Sequence, residues 1–366
     1  MLKRVSIQNF KSLKDVTLDL QKVNLLIGPN NSGKTNFLKA LEFVSDSVGG
    51  AIKLPKEYRY RKDIGNSPDI HLIFDSIYEN GKYDHVLIGD ALNEEDEESG
   101  FAQISFANYF DIINSPNSPE DIDWKIFEKG FGLFDVYKID SNKLDKPAPI
   151  GEGSTKLNKD ASNMIAFFDR MRDEFHDNFS QIRNDLGKCL PEFTEINFQI
   201  VKSSENLIKE FGDKTFKRIG LTNGKQKTIY WADELSEGTL YFLALLCIIN
   251  QPNPPKFLLL EEPEKGIHPR RIFEVIQFIL RLSEEKDVQV IMTTHSPIVV
   301  DMFADMTESV FIFDKDEEGA THVKNLQRDV IEPDTEKSKE LGFSPPKYTD
   351  ALGDSWTIGF LGGVPK

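Results

Sequence analysis

Gly28-Pro29-Asn30-Asn31-Ser32-Gly33-Lys34-Thr35 fills every fixed position of G-x-x-x-x-G-K-[ST], the pattern of a loop that wraps a phosphate chain. Gly28 and Gly33 allow backbone N–H groups to turn inward, and Asn30, Asn31 and Ser32 between them are candidate phosphate contacts. A helix expected from Lys34 to about Ser45 adds positive field at its N-terminus. Lys34 brings a point charge to the β- and γ-oxygens, and the Thr35 hydroxyl is placed to ligate Mg²⁺. An apolar strand, Val23 to Ile27, precedes the loop. That strand–loop–helix frame is what separates a phosphate loop from a chance glycine-rich turn.

A second apolar run, Phe257 to Leu260, ends in Glu261-Glu262-Pro263. Buried strands that end in carboxylates place them at the edge of a parallel sheet, beside a phosphate loop. Glu261 would hold Mg²⁺, and Glu262 would orient and deprotonate the attacking water. Alone, the pair is equally an acidic turn; with the loop it becomes a site. The next apolar strand, Val288 to Met292, runs into Thr293-Thr294-His295. A histidine at a strand end can donate to a γ-phosphate and so register its presence. Ser236-Glu237-Gly238 opens the apolar helix Leu240 to Ile249. This is either a plain helix cap or a second anion site.

The elements that must position these residues are legible in outline. From about residue 228 continuous apolar strands alternate with helices, which predicts a parallel sheet covered on both faces. Strands are expected at Arg4–Phe10 and Val16–Leu20, then at 69–75, 83–88, 101–107, 131–139 and 193–201. One long helix is expected from Ala161 to Leu190. The acidic run 94–98 and the Pro- and Asn-containing stretch 114–122 read as loops. The fold class is therefore α/β: a mixed sheet with flanking helices plus an antiparallel β subdomain. It is divided into head segments 1–78 and 212–366 around an inserted α+β lid, 79–211.

Composition narrows the class. Forty-four basic and sixty acidic residues in 366 give a net charge of −16, so contact with nucleic acid would need a local basic patch. Two such patches are candidates: 51–62, with tyrosines interleaved, and Lys214, Lys217, Arg218, Lys225 and Lys227. Either also reads as a solvated loop face. Cys189 and Cys247, with no metal-ligand spacing, suggest a reducing cytoplasm. The longest apolar run, Leu240 to Ile249, is too short to span a bilayer.

In order along the chain, these motifs resemble the head-type ATPases of the RecF, SMC and OLD-nuclease superfamily. The resemblance rests on Ile7-Gln8-Asn9-Phe10-Lys11-Ser12-Leu13 at the start, Leu235-Ser236-Glu237-Gly238-Thr239 as signature, and Glu261 to Pro269 as Walker B with D-loop. Thr294-His295-Ser296-Pro297 matches the switch, and the tail Leu352-Gly353 to Pro365 is similar to the ends of stand-alone bacterial AAA-type ATPases. The resemblance implies ATP as substrate, Mg²⁺, and a homodimer that sandwiches two ATP molecules. Ser236, Gly238 and Lys265 would then act on the partner's nucleotide. It further implies a switch acting on DNA or on a separate effector, a nuclease or toxin, in genome defence or repair. No glutamine can be assigned to a Q-loop. An ABC transporter subunit is a poorer match, since it expects Leu-Ser-Gly-Gly-Gln. A self-contained OLD-type nuclease would need Asp314-Lys315-Asp316 as a metal motif, where a turn after an edge strand is the simpler reading.

Overall fold

The computed structural model describes residues 1–47, 69–74, 85–91, 101–107, 135–150, 155–202 and 205–364. The basic stretch 51–62 and the loops expected at 94–98 and 114–122 lie outside them. The chain forms two compact units. One comprises Met1–Val136, Lys256–Glu262 and Ser283–Lys366; the other comprises Tyr137–Pro255 and Pro263–Leu282.

The described strands begin with β1 (Leu2–Phe10), β2 (Leu13–Asp19) and β3 (Val23–Ile27), followed by helix α1 (Lys34–Ser47). Next come β4 (Asp69–Phe74), β5 (His85–Ala91), β6 (Phe101–Ala107), β7 (Asp135–Tyr137) and β8 (Ala148–Pro149). Helices α2 (Met164–Glu174) and α3 (His176–Cys189) lead to β9 (Phe193–Val201), β10 (Phe216–Asn223) and β11 (Thr228–Trp231). Helix α4 (Glu237–Ile249), β12 (Phe257–Glu261), α5 (Pro269–Glu285), β13 (Gln289–Thr293) and α6 (Pro297–Asp301) follow. Strands β14 (Val310–Lys315) and β15 (Thr321–Asn325) precede the last labelled helix, α7 (Leu352–Thr357).

In the first unit the central sheet has the order β15-β14-β3-β13-β12-β7. Strands β14, β3, β13 and β12 run parallel, and β15 closes antiparallel on β14. All five residues of β3 and of β13 are buried, as a strand covered on both faces requires. The one polar residue of β3, Asn24, is fully paired. Its amide donates to the Gln21 carbonyl (2.7 Å) and the Val290 carbonyl (3.2 Å), and its oxygen accepts from Gln21 N–H (2.7 Å). A buried amide satisfied in this way costs little and pins the strand's position.

Register decides where the chemistry lies. Leu26 of β3 and Glu261 of β12 both stand opposite Thr293 of β13. The segments leaving these three strands therefore emerge together at one edge of the sheet. Helix α1 covers this sheet with Phe37, Leu38, Leu41 and Val44, and Phe37 meets Phe313 edge-on at 6.0 Å. Each such buried side chain contributes about 1.5–3 kcal/mol. A second, antiparallel sheet, β2-β1-β4-β5-β6, shares that core through Val5, Ile7 and Phe10. Strands β5 and β6, from the segment expected as a lid, hydrogen-bond into this sheet.

In the second unit β9 and β8 pair with β10, as does β11. Helix α4 is buried from Gly238 to Ile249, the expected position for a helix apolar all round. The single helix expected over 161–190 is two, broken at Phe175 (φ −125°, ψ 62°). In one straight helix Phe168 and Phe179 would stand about 16 Å apart along the axis. The break instead brings their rings to 6.4 Å, edge to face, a contact aromatic pairs favour. Of the described residues, no helix is long and apolar enough to cross a membrane.

Candidate nucleotide site

The phosphate loop joins β3 to α1. Gly28 (φ 144°) and Gly33 (φ 110°) adopt backbone that other residues rarely enter. A Cβ on Gly28 would fall 2.2 Å from the Phe313 carbonyl oxygen, and one on Gly33 2.2 Å from Thr321 Oγ1. Asn31 (φ 65°) is left-handed too, which asparagine tolerates. Lys34 Nζ donates to the carbonyls of Gly28 (2.8 Å) and Pro29 (2.9 Å), so the lysine is folded back over its own loop. Burial pushes its ammonium down to about 8, opposed by the nearby Glu262 and Glu261. Ser32 Oγ is buried with no hydrogen-bond partner, which a buried hydroxyl does not sustain cheaply. An anion in the loop would supply the acceptor it lacks.

Thr35 Oγ1 donates to Glu261 Oε1 at 2.7 Å, although the two lie in distant parts of the chain. Both are hard oxygen donors of the kind Mg²⁺ takes, so the pair fits the ion. Glu262 is held at φ 49°, an uncommon conformation for a non-glycine residue and one found at functional sites. Its N–H is shared between the Thr293 carbonyl and Thr293 Oγ1, both at 3.2 Å. That geometry turns the carboxylate toward His295, whose Nε2 lies 3.7 Å from Glu262 Oε1. Both side chains are about one-third exposed or less. The structure thus gathers Lys34, Thr35, Glu261, Glu262 and His295 at one sheet edge. Asn30 and Asn31 are exposed on the same loop.

Four residues outside the phosphate loop and the carboxylate strand hold this edge. Thr321 Oγ1, on β15, donates to the Ser32 carbonyl (2.9 Å) and lies 2.8 Å from Ser12 Oγ. Asn36 on α1 donates to the same Ser12 hydroxyl (2.9 Å). Lys315, at the end of β14, donates to Asn31 Oδ1 (3.2 Å). None of these contacts has a local sequence signature. The only hint for Ser12 is its place in the opening Phe10-Lys11-Ser12.

In the second unit Ser236 caps α4: its Oγ accepts from Thr239 N–H (3.2 Å) and lies 2.8 Å from Thr239 Oγ1. A Cβ on Gly238 would meet only ordinary contacts, the nearest at 3.6 Å to Arg271. The packing of this chain therefore does not itself demand glycine there. Lys265 is exposed. Within the basic cluster, Lys217 is paired with Asp169 (2.5 Å) and Arg218 stacks on Trp231 at 4.2 Å. Lys217 and Arg218 are thus engaged inside the fold. Asp316 tightens the turn between β14 and β15, accepting from Ala320 N–H (2.8 Å) and lying 2.9 Å from His322 Nε2. The strand before that turn is interior, flanked by β3 and β15, and not the edge strand expected.

Residues 23–301 match the family model described as "AAA domain, putative AbiEii toxin, Type IV TA system". The chain is 22% identical over 329 residues to the OLD nuclease of Thermus scotoductus, covering 82% of this chain and 60% of the nuclease's length. It is 24% identical over 339 residues to an ATP/GTP phosphatase of Helicobacter pylori, covering 81% of this chain and 85% of that protein. Among solved structures, an Smc head domain from Pyrococcus furiosus, bound to the C-terminal domain of ScpA, matches with a TM-score of 0.54 at 14% identity. That match covers 93% of this chain and 99% of the head domain. The fold is accordingly that of an SMC-type P-loop head.

Proposed function

From the premise that this chain belongs to that AAA-domain family, and is a P-loop ATP hydrolase of the RecF, SMC and OLD class, we propose that it is an ATP-driven dimerising switch. The observation that carries the reading is the hydrogen bond from Thr35 to Glu261. It fixes the loop and the carboxylate strand as one site, with Glu262 and His295 beside it. Lys34 exchanges its loop carbonyls for the β- and γ-oxygens of ATP, and the N–H groups of 30–35 cradle the phosphates. Thr35 and Glu261 would hold Mg²⁺, which would supply positive charge against the negative charge developing on the phosphates. Glu262 takes a proton from the attacking water, and His295 donates to the γ-phosphate from the neighbouring strand end.

Ser236 and Gly238 act on the nucleotide of a second copy. The support is indirect: a glycine that its own packing does not require, at the N-terminus of a thirteen-residue helix. The flanking segments 1–78 and 212–366 carry every one of these motifs, and the insertion between them, whose β5 and β6 extend the sheet of the first unit, adapts the head to its partner. That partner is a separate effector, a nuclease or toxin, in genome defence or repair within the cytoplasm. DNA is the alternative target, and within the second basic cluster Lys217 and Arg218 are engaged internally.

The test is a pair of variants. Glu262→Gln keeps ATP binding and loses turnover by roughly 10²–10⁴-fold, the range of a general base. Lys34→Ala loses binding itself. Turnover by Glu262→Gln at the unaltered rate would remove the proposed base.

A further inference from the structure

The tail beyond β15 has no role in the site just described, yet it touches both of the loops on which that site depends. Gly353, at the start of α7, packs on the backbone of Pro297, two residues after His295. A Cβ there would fall 2.3 Å from the Pro297 carbonyl oxygen. Gly353 N–H also donates to Asp301 Oδ1 at 2.7 Å. At the other end, a Cβ on Gly363 would fall 2.5 Å from Ile312 Cγ2, 3.4 Å from the Phe313 carbonyl oxygen and 3.6 Å from Gly28 Cα. Gly28 opens the phosphate loop and itself packs on Phe313. Leu352, Trp356 and Leu361 are buried, and Trp356 Nε1 donates to the Gly363 carbonyl at 3.2 Å.

We infer that residues 352–364 are a positioning arm of the ATPase site, with Gly363 setting the phosphate loop and Gly353 setting the His295 loop. The inference rests on the function proposed above. Its physical basis is the close approach of backbone to backbone at both keys. Glycine at 353 admits the Pro297 carbonyl, and glycine at 363 supplies a left-handed turn (φ 63°) that a side chain would strain. Displacing either contact shifts one loop and leaves the other in place, and misplacement by about 1 Å can cost about 10²-fold in rate.

The experiment measures equilibrium Kd for a fluorescent ATP analogue with Mg²⁺, and kcat for ATP, on the full chain, with circular dichroism as the measure of folded protein. Gly363→Ala raises Kd about tenfold or more, with kcat at saturation near the unaltered value. Gly353→Ala lowers kcat by a similar factor and leaves Kd within about twofold. Trp356→Phe, which keeps an aromatic ring there but loses the N–H donor and part of the indole's volume, moves Kd in the direction of Gly363→Ala by a smaller factor. Asp301→Ala follows Gly353→Ala, whereas Asp301→Asn, which retains an acceptor oxygen, does not. Unchanged Kd and kcat in both glycine variants would overturn the arm. So would both constants shifting together in proportion to lost fold. An unaltered chain that neither binds nor hydrolyses ATP would instead reject the ATPase reading on which the arm depends.

Discussion

Lys34 sets the electrostatics of the site before any phosphate arrives. Burial lowers its pKa from 10.5 to about 8, and a bound triphosphate would raise it again by favouring the charged form. The sign follows. Below pH 8 the lysine is charged in both states and ATP binding is at full strength. As pH rises through 8, free protein loses the proton and must take one up to bind. Affinity therefore falls above pH 8, and calorimetry at pH 8.5 in buffers of different ionisation enthalpy registers net proton uptake. Proton release, or affinity flat from pH 7 to 9, would contradict the assignment. At this scale the sequence is most readable, because the eight residues of the loop are contiguous and each type answers one requirement of a phosphate chain. Ser12, Thr321 and Lys315 were not legible. Each contributes a single hydroxyl or ammonium, Thr321 and Lys315 from far along the chain, and no spacing rule connects them to the loop.

Among the elements, register does the positioning. Leu26, Thr293 and Glu261 lie level across three parallel strands, so the loop, the histidine and the carboxylates arrive at one edge, where the Thr35–Glu261 hydrogen bond links loop to carboxylate. The continuous apolar runs made these strands visible, and the alternation with helices made the sheet parallel. The break at Phe175 was invisible because Phe168 and Phe179 keep the same helical period on either side of it; only their 6.4 Å contact requires the turn. Likewise β15 gave no sign of bracing the phosphate loop, since Thr321 reads as an ordinary strand threonine. Thr321→Val tests that brace while nearly preserving shape. Loss of its hydrogen bond to the Ser32 carbonyl, worth about 1 kcal/mol, raises KM for ATP about fivefold with kcat little changed. An unaltered KM would assign Thr321 to strand packing alone.

For the whole molecule, two compact units divide the motifs: the phosphate loop, Glu261, Glu262 and His295 belong to one, and Ser236, Gly238 and Lys265 to the other. The chain offers one loop and one signature, so two copies related by a two-fold axis would close on two nucleotides. Mixing two inactive chains tests that arrangement most directly. Lys34→Ala retains the signature and Ser236→Arg retains the phosphate loop. In a mixed dimer one composite site is intact and the other carries both lesions. ATPase activity is expected to return on mixing, toward half that of the unaltered dimer per mixed pair. Activity no higher than in either variant alone, with mixed dimers shown to form, would contradict it.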